Sequence, residues 1–202
     1  MSAQGPRIGI TSTVPVEVVF AAGMVPVDLN NEFISSQDPR RLVEEAEGRG
    51  FPRSSCAWLK GIYSACRRLG IERVVGVVHG DCSGTGALLE LLAGEGVDTV
   101  PFAYPIARTP EAVRRSIEAF CAALGTDVHA AERCRQQLVP VRKLLGRLDR
   151  AVLEGRPVSA AQAHSWMVSS SDFRGDARPF EAELRTFLDG LAAGEAPRPT
   201  LP

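Results

Sequence analysis

The sequence predicts an α/β protein, with a doubly wound parallel sheet of about four strands followed by an all-helical C-terminal extension. Short apolar segments alternate with helix-type segments through the first part of the chain. Beyond Gly125 the strand pattern stops and only helix-type segments follow. We therefore predict an α/β domain over residues 1–125, a helical extension over 126–193 and a disordered, proline-rich tail over 194–202.

The composition limits the kinds of partner. The chain has 202 residues and a net charge of -1, so no basic field favours nucleic acid or an acidic membrane surface. No apolar segment approaches the roughly 18 residues that cross a bilayer, and the polar N-terminus lacks the apolar core of a secretory signal. We therefore expect a cytoplasmic protein. Five cysteines, an odd number in a reducing compartment, predict individual roles rather than a disulfide framework.

Four short segments are predicted to be strands, and the apolar run of the first is typical of a parallel strand that is buried on both faces. The strongest of them contains Val74, Val75, Val77 and Val78 in a nearly continuous run. The predicted strands are Arg7–Thr11, Met24–Leu29, Glu72–His79 and Thr99–Phe102.

Capping residues mark the ends of the predicted helices. Thr13 precedes the first helix, Gly70 ends the third and Thr109 precedes the fifth. Pro140 is expected to interrupt or restart the longest helix. The predicted helices lie within Val14–Ala22, Asp38–Glu47, Phe51–Leu69, Ala87–Ala93, Pro110–Leu124, Asp127–Leu153, Ser159–Ser169 and Arg178–Leu191.

Cys82 is the first candidate functional residue. Open parallel sheets bind ligands beyond the carboxyl ends of their strands, and Cys82 follows the strongest predicted strand. Its turn, Gly80–Gly86, is rich in small residues and leads into a helix N-terminus, a setting that stabilises a thiolate. Through Gly80, Ser83 and Gly84 the turn could also bind a cofactor phosphate, although it lacks the lysine of a Walker A sequence. The alternative is that Cys82 is only a small turn residue.

Cys56 is the second candidate. It follows Arg53 near the start of a helix, and it would reach the same edge if that helix begins beside the Cys82 turn. The alternative is a buried helix residue. His79 also lies at this edge, where a structural and a chemical role fit the sequence equally well. The remaining cysteines favour packing roles over ligation, and they are Cys66, Cys121 and Cys134.

Several segments together resemble one protein family. Residues 13–27 read TVPVEVVFAAGMVPV and follow a predicted strand. This segment is similar to the P-x-E-[hydrophobic]-x-x-A-A-G-x-x-P opening of the 2-hydroxyacyl-CoA dehydratase and benzoyl-CoA reductase subunits. The family then has a cysteine at a helix start, matched by Cys56, and a strand that ends in a second cysteine, matched by Cys82. A later V-P strand is matched by Val100-Pro101, and the resemblance covers roughly Arg7–Leu191.

The resemblance implies an oxygen-sensitive [4Fe–4S] cluster between two flavodoxin-like domains, held by three cysteines per subunit. An ATP-dependent activator protein would donate one electron to this cluster. The reduced cluster would then pass the electron to an acyl-CoA thioester, forming a ketyl radical that eliminates water or reduces a ring. Cys56 and Cys82 match two of the three ligand positions.

Other residues are expected beside this cluster. We predict that Glu17, His79 and Ser12 act in catalysis and that Thr11 lines the same site. Glu17 has an alternative role, as a first-turn residue that complements the helix dipole.

Two departures from the family pattern concern the ligand set. Ser83 stands where the family has an aspartate, and Asp81 precedes the cysteine instead. The family's third cysteine lies in a second α/β domain, which this chain is not expected to include, so a complete set needs another source. A second dehydratase-like subunit could supply it, or a homodimer could pool Cys56 and Cys82 from two copies. The third alternative is that the cluster has been lost.

The leading hypothesis is therefore an iron–sulfur subunit, or an electron-transfer relative, in acyl-CoA dehydration or reduction. Two alternatives stay open. One is a non-catalytic binding or assembly domain that docks a larger partner through its helical half. The other is a thiol redox protein in which Cys82 and Cys56 form a reversible disulfide.

Overall fold

The computed structural model describes residues 5–193 and has one parallel sheet at its centre. Its strands are β1 (Arg7–Ile10), β2 (Val25–Asp28), β3 (Arg73–His79) and β4 (Asp98–Ala103). They are ordered β2-β1-β3-β4, and the three strand pairings are parallel. This is the order of the first four strands in a flavodoxin-like sheet, so the predicted fold class is confirmed.

Helices cover both faces of the sheet and continue beyond it. They are α1 (Val16–Ala21), α2 (Leu29–Ile34), α3 (Pro39–Gly48), α4 (Ala57–Leu69), α5 (Gly84–Gly94), α6 (Pro110–Leu124), α7 (Val128–Leu153), α8 (Ala160–Val168) and α9 (Ala177–Ala193), with a 3₁₀ turn at Phe173–Gly175. Val74 packs against α2 to α5 on one face, whereas Val75 packs against α1 and α6 on the other. Successive strand residues point to opposite faces, so β3 is buried on both sides. Among these helices, none combines the length and the hydrophobicity needed to span a membrane.

The helical extension forms a third layer outside α1. Val16 and Phe20 of α1 pack with apolar side chains of α7 and α9, including Leu144, Leu148 and Leu184. Each such side chain stabilises the fold by about 1.5–3 kcal/mol when it is fully buried. The extension is therefore packed onto the sheet-forming part through α1.

Gly125 marks the end of the sheet-forming part. It ends α6 in the left-handed conformation, with φ 72°, which glycine adopts without strain. The division of the chain into two domains at this point stays a prediction. The tail over 194–202 lies outside the described residues.

Three local predictions differ from the structure. The first helix begins at Val16 after Pro15, whereas we expected Thr13 to cap it. A short helix, α2, was missed; it directly follows β2 because the side chain of Asp28 caps its N-terminus. The longest helix runs through Pro140 without a break. Pro140 is exposed, so water can hydrate the backbone carbonyl that loses its partner there.

Candidate functional site

A pocket of about 300 Å³ lies at the carboxyl edge of the sheet, beside the ends of β1 and β3. We call it the cysteine pocket. Its walls come from the segments that follow the first three strands and from the start of α4, and they are Thr11, Ser12, Thr13, Asp28, Asn30, Cys56, Trp58, Leu59, Ile62, Asp81, Cys82 and Thr85. The chain runs from β1 to β2 on one side and returns to β3 on the other, so the pocket lies where the strand order reverses. Open α/β sheets bind ligands at this point.

The structure brings Cys56 and Cys82 into this one pocket, and both cysteines are exposed. Cys56 is the N-cap residue of α4, and Cys82 directly precedes Ser83, the N-cap residue of α5. Neither cap residue bonds to its helix through its side chain, so the first-turn N–H groups of both helices lack a side-chain cap. Two helix N-termini therefore favour negative charge in the pocket.

The other three cysteines are withdrawn from the pocket. Cys66 and Cys121 are buried against the sheet, and Cys134 is half-buried on α7. Burial raises the pKa of the Cys66 thiol to about 11. It also raises the pKa of Cys121 and of Cys134. These thiols are therefore neutral at physiological pH. The pair in the pocket differs from them in being exposed.

A hydrogen-bonded network forms the floor of the pocket. Asp28 is buried and accepts hydrogen bonds from the backbone N–H and the side-chain amide of Asn30, each 2.9 Å long. The Asn30 amide also donates to the carbonyl of Thr11 at 2.8 Å, and its oxygen accepts from the Trp58 indole at 2.5 Å. The hydroxyl of Ser171 donates to the second carboxylate oxygen of Asp28 at 2.6 Å. The network ties the ends of β1 and β2 to the start of α4 and to the helical extension.

Sequence reasoning missed Asp28 and Asn30 as site residues. The available signal was an Asp-Leu-Asn-Asn stretch directly after an apolar strand, at the edge where a ligand was expected. Such a stretch supplies both a helix cap and a polar wall.

Lys60 supports the loop that precedes Cys56. Its side chain is only 2% exposed, and its ammonium group donates to the carboxylate of Glu47 at 2.7 Å. It also donates to the carbonyl of Arg53 at 3.2 Å, within that loop. The hydrogen bond from Lys60 holds the pKa of Glu47 below its ordinary value. A buried ammonium requires such partners, so Lys60 anchors the chain just before the pocket.

Gly80 and Gly84 allow close packing around Cys82. A Cβ on Gly84 would clash with Leu59 and would lie 3.5 Å from the sulfur of Cys82. Gly80 has φ 90°, and a Cβ there would lie 2.8 Å from Tyr104. These glycines therefore shape the loop around Cys82, and the binding of a cofactor by Gly80, Ser83 and Gly84 stays a prediction.

His79 and Gly80 line a second cavity, of about 1210 Å³. We call it the apolar cleft. Its walls come from the loop after β4 and from the first turns of α6 and α7, and they are His79, Gly80, Tyr104, Pro105, Ile106, Arg108, Thr109, Pro110, Glu111, Val113, Arg114, Ile117, Val128, His129 and Glu132. The Nδ1 atom of His79 lies 3.1 Å from the carbonyl oxygen of Tyr104, whose hydroxyl donates to the carbonyl of Thr13 at 2.7 Å. Tyr104 thus stands between the two cavities, and His79 lines the cleft rather than the cysteine pocket.

The structure also separates Glu17 from both cavities. Glu17 lies in the first turn of α1, and its carboxylate forms an ion pair with Arg142 of α7. Its position fits the alternative role, that of a first-turn residue that complements the helix dipole. The ion pair with Arg142 adds a contact to the helical layer. Of the three residues predicted to act in catalysis, Ser12 shares the pocket with the cysteines, together with Thr11.

The donor set of the cysteine pocket fits half of a cysteine-ligated iron–sulfur site. Two exposed thiols are present, whereas a [4Fe–4S] cluster is ordinarily held by four cysteine thiolates. Within residues 5–193, no group of three or more His, Cys, Asp or Glu side chains is placed to hold a metal ion. Within the described residues, the pocket therefore supplies part of the ligand set of such a cluster and not the whole set.

Comparison with known proteins agrees with the resemblance found in the sequence. The family model for the D-component of 2-hydroxyglutaryl-CoA dehydratase matches residues 11–200, a range that includes both pocket cysteines. No curated protein matches the chain. Since the family model spans nearly the whole sequence, the chain belongs to the 2-hydroxyglutaryl-CoA dehydratase D-component family.

Proposed function

We propose that this chain is an iron–sulfur subunit of a 2-hydroxyacyl-CoA dehydratase-type complex, in which Cys56 and Cys82 bind a [4Fe–4S] cluster. One observation carries the proposal: these two exposed thiols meet in one pocket at the switch point of the sheet. Membership of the D-component family supplies the reaction class, which is dehydration or reduction of an acyl-CoA thioester.

The chain's own residues would hold the cluster and set its surroundings. Cys56 and Cys82 would supply thiolate ligands, and the N-termini of α4 and α5 would offset their negative charge. The Thr11 hydroxyl accepts from the backbone N–H of Val77, so its own proton is available to a ligand in the pocket. When bound, such a cluster supplies one-electron transfer.

The proposal requires partners. The described residues offer two exposed thiols, so the remaining ligands would come from outside these residues, for example from a second dehydratase-like subunit or a second copy of this chain. An ATP-dependent activator protein would deliver the electron, and an acyl-CoA would be the substrate. The cysteine pocket would then be the meeting point of these components.

Anaerobic purification tests the proposal directly. The protein, reconstituted with iron and sulfide, is expected to be brown, to contain both elements and to give an EPR signal after reduction. Cys56→Ala and Cys82→Ala should each lose most of the iron, because a cluster missing one of few thiolate ligands is released. Cys134→Ala, which removes a half-buried cysteine outside the pocket, is the matched control and should keep it.

Two results would overturn the proposal. One is a colourless protein that takes up no iron after reconstitution. The other is an iron content that stays the same in Cys56→Ala and in Cys82→Ala.

A thiol redox function is the second candidate, favoured by the same two free and exposed cysteines in one pocket. Oxidised glutathione would accept two electrons and two protons from Cys56 and Cys82, leaving an intramolecular disulfide and two glutathione thiols. Mass spectrometry of the intact protein would show the loss of two hydrogens, and Cys56→Ala would abolish that loss. A protein that neither binds iron nor forms this disulfide would instead favour a binding or assembly role.

A further inference from the structure

We propose that a groove between α4 and α5 binds the apolar acyl chain of the substrate, with the thioester end of that chain beside Cys82. The groove is a cavity of about 300 Å³ next to the cysteine pocket, and we call it the α4–α5 groove. This inference rests on the proposed function, which makes an acyl-CoA the substrate. It adds the place where the acyl chain lies and the class of acyl group that fits there.

The α4–α5 groove is long and narrow. Both helices start at the carboxyl edge of the sheet, so the groove runs from Leu59 and Gly84 near that edge to Tyr63 and Glu95 farther along the helices. From Gly84 to Glu95 a helix rises about 16 Å. A volume of about 300 Å³ over this length suits one extended chain better than a bulky ring system.

The lining of the groove is mostly apolar. Tyr63 and Leu88 are almost fully buried, whereas Leu91 is 49% exposed although it lines the same cavity. On the third side the ring of Phe51 packs against the ring of Tyr63, with the two centroids 4.8 Å apart. An alkyl chain in the groove would cover the exposed part of Leu91, and an apolar cavity with few polar groups is typical of small-molecule sites.

The charged groups of the groove do not favour a ligand of one sign. Glu95 accepts a hydrogen bond from the hydroxyl of Tyr63 and forms an ion pair with Arg67 at 3.3 Å. Arg49 lines the groove as well and is exposed. A ligand carboxylate would therefore meet Glu95 as well as Arg49, and it would lose hydration on entry. The lining favours an uncharged acyl chain over one that ends in a carboxylate.

Leu59 connects the groove to the cysteine pocket, because it lines both cavities. Leu59 and the sulfur of Cys82 both lie against Gly84, since a Cβ there would clash with Leu59 and would be 3.5 Å from that sulfur. Leu59 therefore separates Cys82 from the groove. Its side chain is half-buried, and a change of rotamer would join the two cavities and place the thioester next to Cys82.

Isothermal titration calorimetry with unreactive substrate mimics tests the proposed ligand. The probes are the butanoyl, hexanoyl and glutaryl amides of N-acetylethylenediamine, in which an N–H replaces the thioester sulfur, so that no acyl group passes to cysteine. The hexanoyl amide should bind at least about fivefold more tightly than the butanoyl amide, since each buried CH₂ group contributes about fourfold in affinity. It should bind at least about tenfold more tightly than the glutaryl amide, which has the same length and ends in a carboxylate. Equal affinities for the hexanoyl and glutaryl amides would overturn the selection of an apolar chain.

Two substitutions on α5 test the location. Ala87 is exposed and lines the groove, so Ala87→Phe should fill it and weaken binding of the hexanoyl amide at least about tenfold. Ala93→Phe makes the same change on the same helix, at an exposed position outside the lining of the groove, and should leave the affinity unchanged. Binding that is equally tight in both variants would overturn the groove as the site.

Protection of Cys82 gives a readout that needs no variant. Saturation with the hexanoyl amide should slow the alkylation of Cys82 by iodoacetamide at least about fivefold, because the polar end of the ligand would lie beside that sulfur. The rate at Cys134, outside both cavities, should not change. An unchanged rate at Cys82 would overturn the assigned orientation.

Iron content, measured on the same preparations, separates this inference from the proposed function. A protein that binds iron through Cys56 and Cys82 but does not bind the hexanoyl amide would overturn the groove and leave the iron–sulfur function standing. A protein that binds the amide in the groove but takes up no iron would support the groove and overturn the iron–sulfur function.

Discussion

The cysteine pocket and the apolar cleft lie side by side at the carboxyl edge of the sheet, but they are built differently. The cleft is the larger cavity, at about 1210 Å³ against about 300 Å³ for the pocket. Buried Asp28 and its partner Asn30 hold the floor of the pocket through short hydrogen bonds. In the cleft, Arg114 and Glu132 form ion pairs on the exposed surfaces of their own helices.

The two cavities therefore differ in how firmly their side chains are held, as well as in volume. A buried and fully paired network keeps its side chains in fixed positions, which the binding of a cofactor requires. Exposed ion pairs contribute only about 0–1 kcal/mol and leave their side chains free to move. We therefore expect ligand binding in the pocket rather than in the cleft.

The largest expected effect concerns cysteine reactivity. Iodoacetamide at about pH 8 should alkylate Cys56 and Cys82 in the folded protein at least about a hundredfold faster than Cys66. Burial shields Cys66 and raises its pKa to about 11, so both its accessibility and its thiolate fraction are small. Peptide mass spectrometry on timed samples gives the three rates.

Unfolding supplies the control for this measurement. In guanidinium chloride the five cysteines should react at similar rates, because their environments become alike. If Cys66 and Cys82 react equally fast in the folded protein, the contrast between the pocket and the core is wrong.

The next effect concerns stability. Asp28→Ala should lower the free energy of unfolding by about 3 kcal/mol, because it removes the cap of α2 and leaves half-buried donors of Asn30 and Ser171 without their acceptor. His129→Ala, an exposed substitution in the apolar cleft, should change it by less than about 0.5 kcal/mol. Urea unfolding followed by circular dichroism compares the two variants. Equal losses would show that the pocket is no better supported than the cleft.

Apolar patterning was sufficient to predict the four strands, most clearly β1 and β3, in which consecutive residues are buried. It missed α2, which is six residues long and too short to show a helical period. It also wrongly expected a break at Pro140. Leu138 and Leu144, on either side of that proline, are buried in the helical layer, and this packing keeps α7 continuous. Both errors arise where contacts distant in sequence decide the local structure.

The sequence also predicted part of the candidate site. The position of strand ends predicted that Ser12 and Cys82 share an edge, and the structure places them in one pocket. The sequence could not separate this pocket from the cleft, because the hydrogen bond of Tyr104 to Thr13 joins residues that are 91 positions apart. The sequence also could not decide between a catalytic and a structural role for Glu17, because its ion pair depends on how α7 packs against α1.

A smaller effect tests the link between the pocket and the helical extension. Asp172 accepts hydrogen bonds from the backbone N–H groups of Asp28 and Arg174, both 2.8 Å long. Burial raises the pKa of Asp172, and the nearby carboxylates of Asp28 and Glu32 add to the rise. The folded chain therefore holds this proton more tightly than the unfolded chain does. Its contribution to stability falls as the pH increases from the ordinary pKa of aspartate through the raised one.

Asp172→Asn removes this titration and one of the two hydrogen-bond acceptors. The variant should be less stable than the wild type by about 1–2 kcal/mol in acid, and the gap should narrow as the pH approaches neutrality. Urea midpoints measured across this range give the comparison. Asp189→Asn, at an exposed carboxylate of α9, is the control and should change the urea midpoint at neutral pH little. A gap for Asp172→Asn that widens toward neutral pH would contradict the assigned sign.

The smallest effect concerns the wall between the two cavities. Tyr104→Phe removes only the hydroxyl that donates to Thr13, while the ring can keep its edge-on contact with Phe102. Burial, reinforced by the carboxylate of Asp81, raises the pKa of Tyr104, so the hydroxyl stays a donor at neutral pH. Its loss should cost about 1 kcal/mol of unfolding free energy and should raise the alkylation rate of Cys82 by less than about tenfold.

Tyr63→Phe is the matched control for this wall. It makes the same chemical change at a hydroxyl that donates to Glu95, and Tyr63 lines neither the pocket nor the cleft. It should lower stability by a similar amount, about 1 kcal/mol, and should leave the Cys82 rate unchanged. The two variants thus separate a general loss of stability from a local loosening beside Cys82. If both variants raise the alkylation rate of Cys82 equally, the hydroxyl of Tyr104 does not separate the cysteine pocket from the apolar cleft.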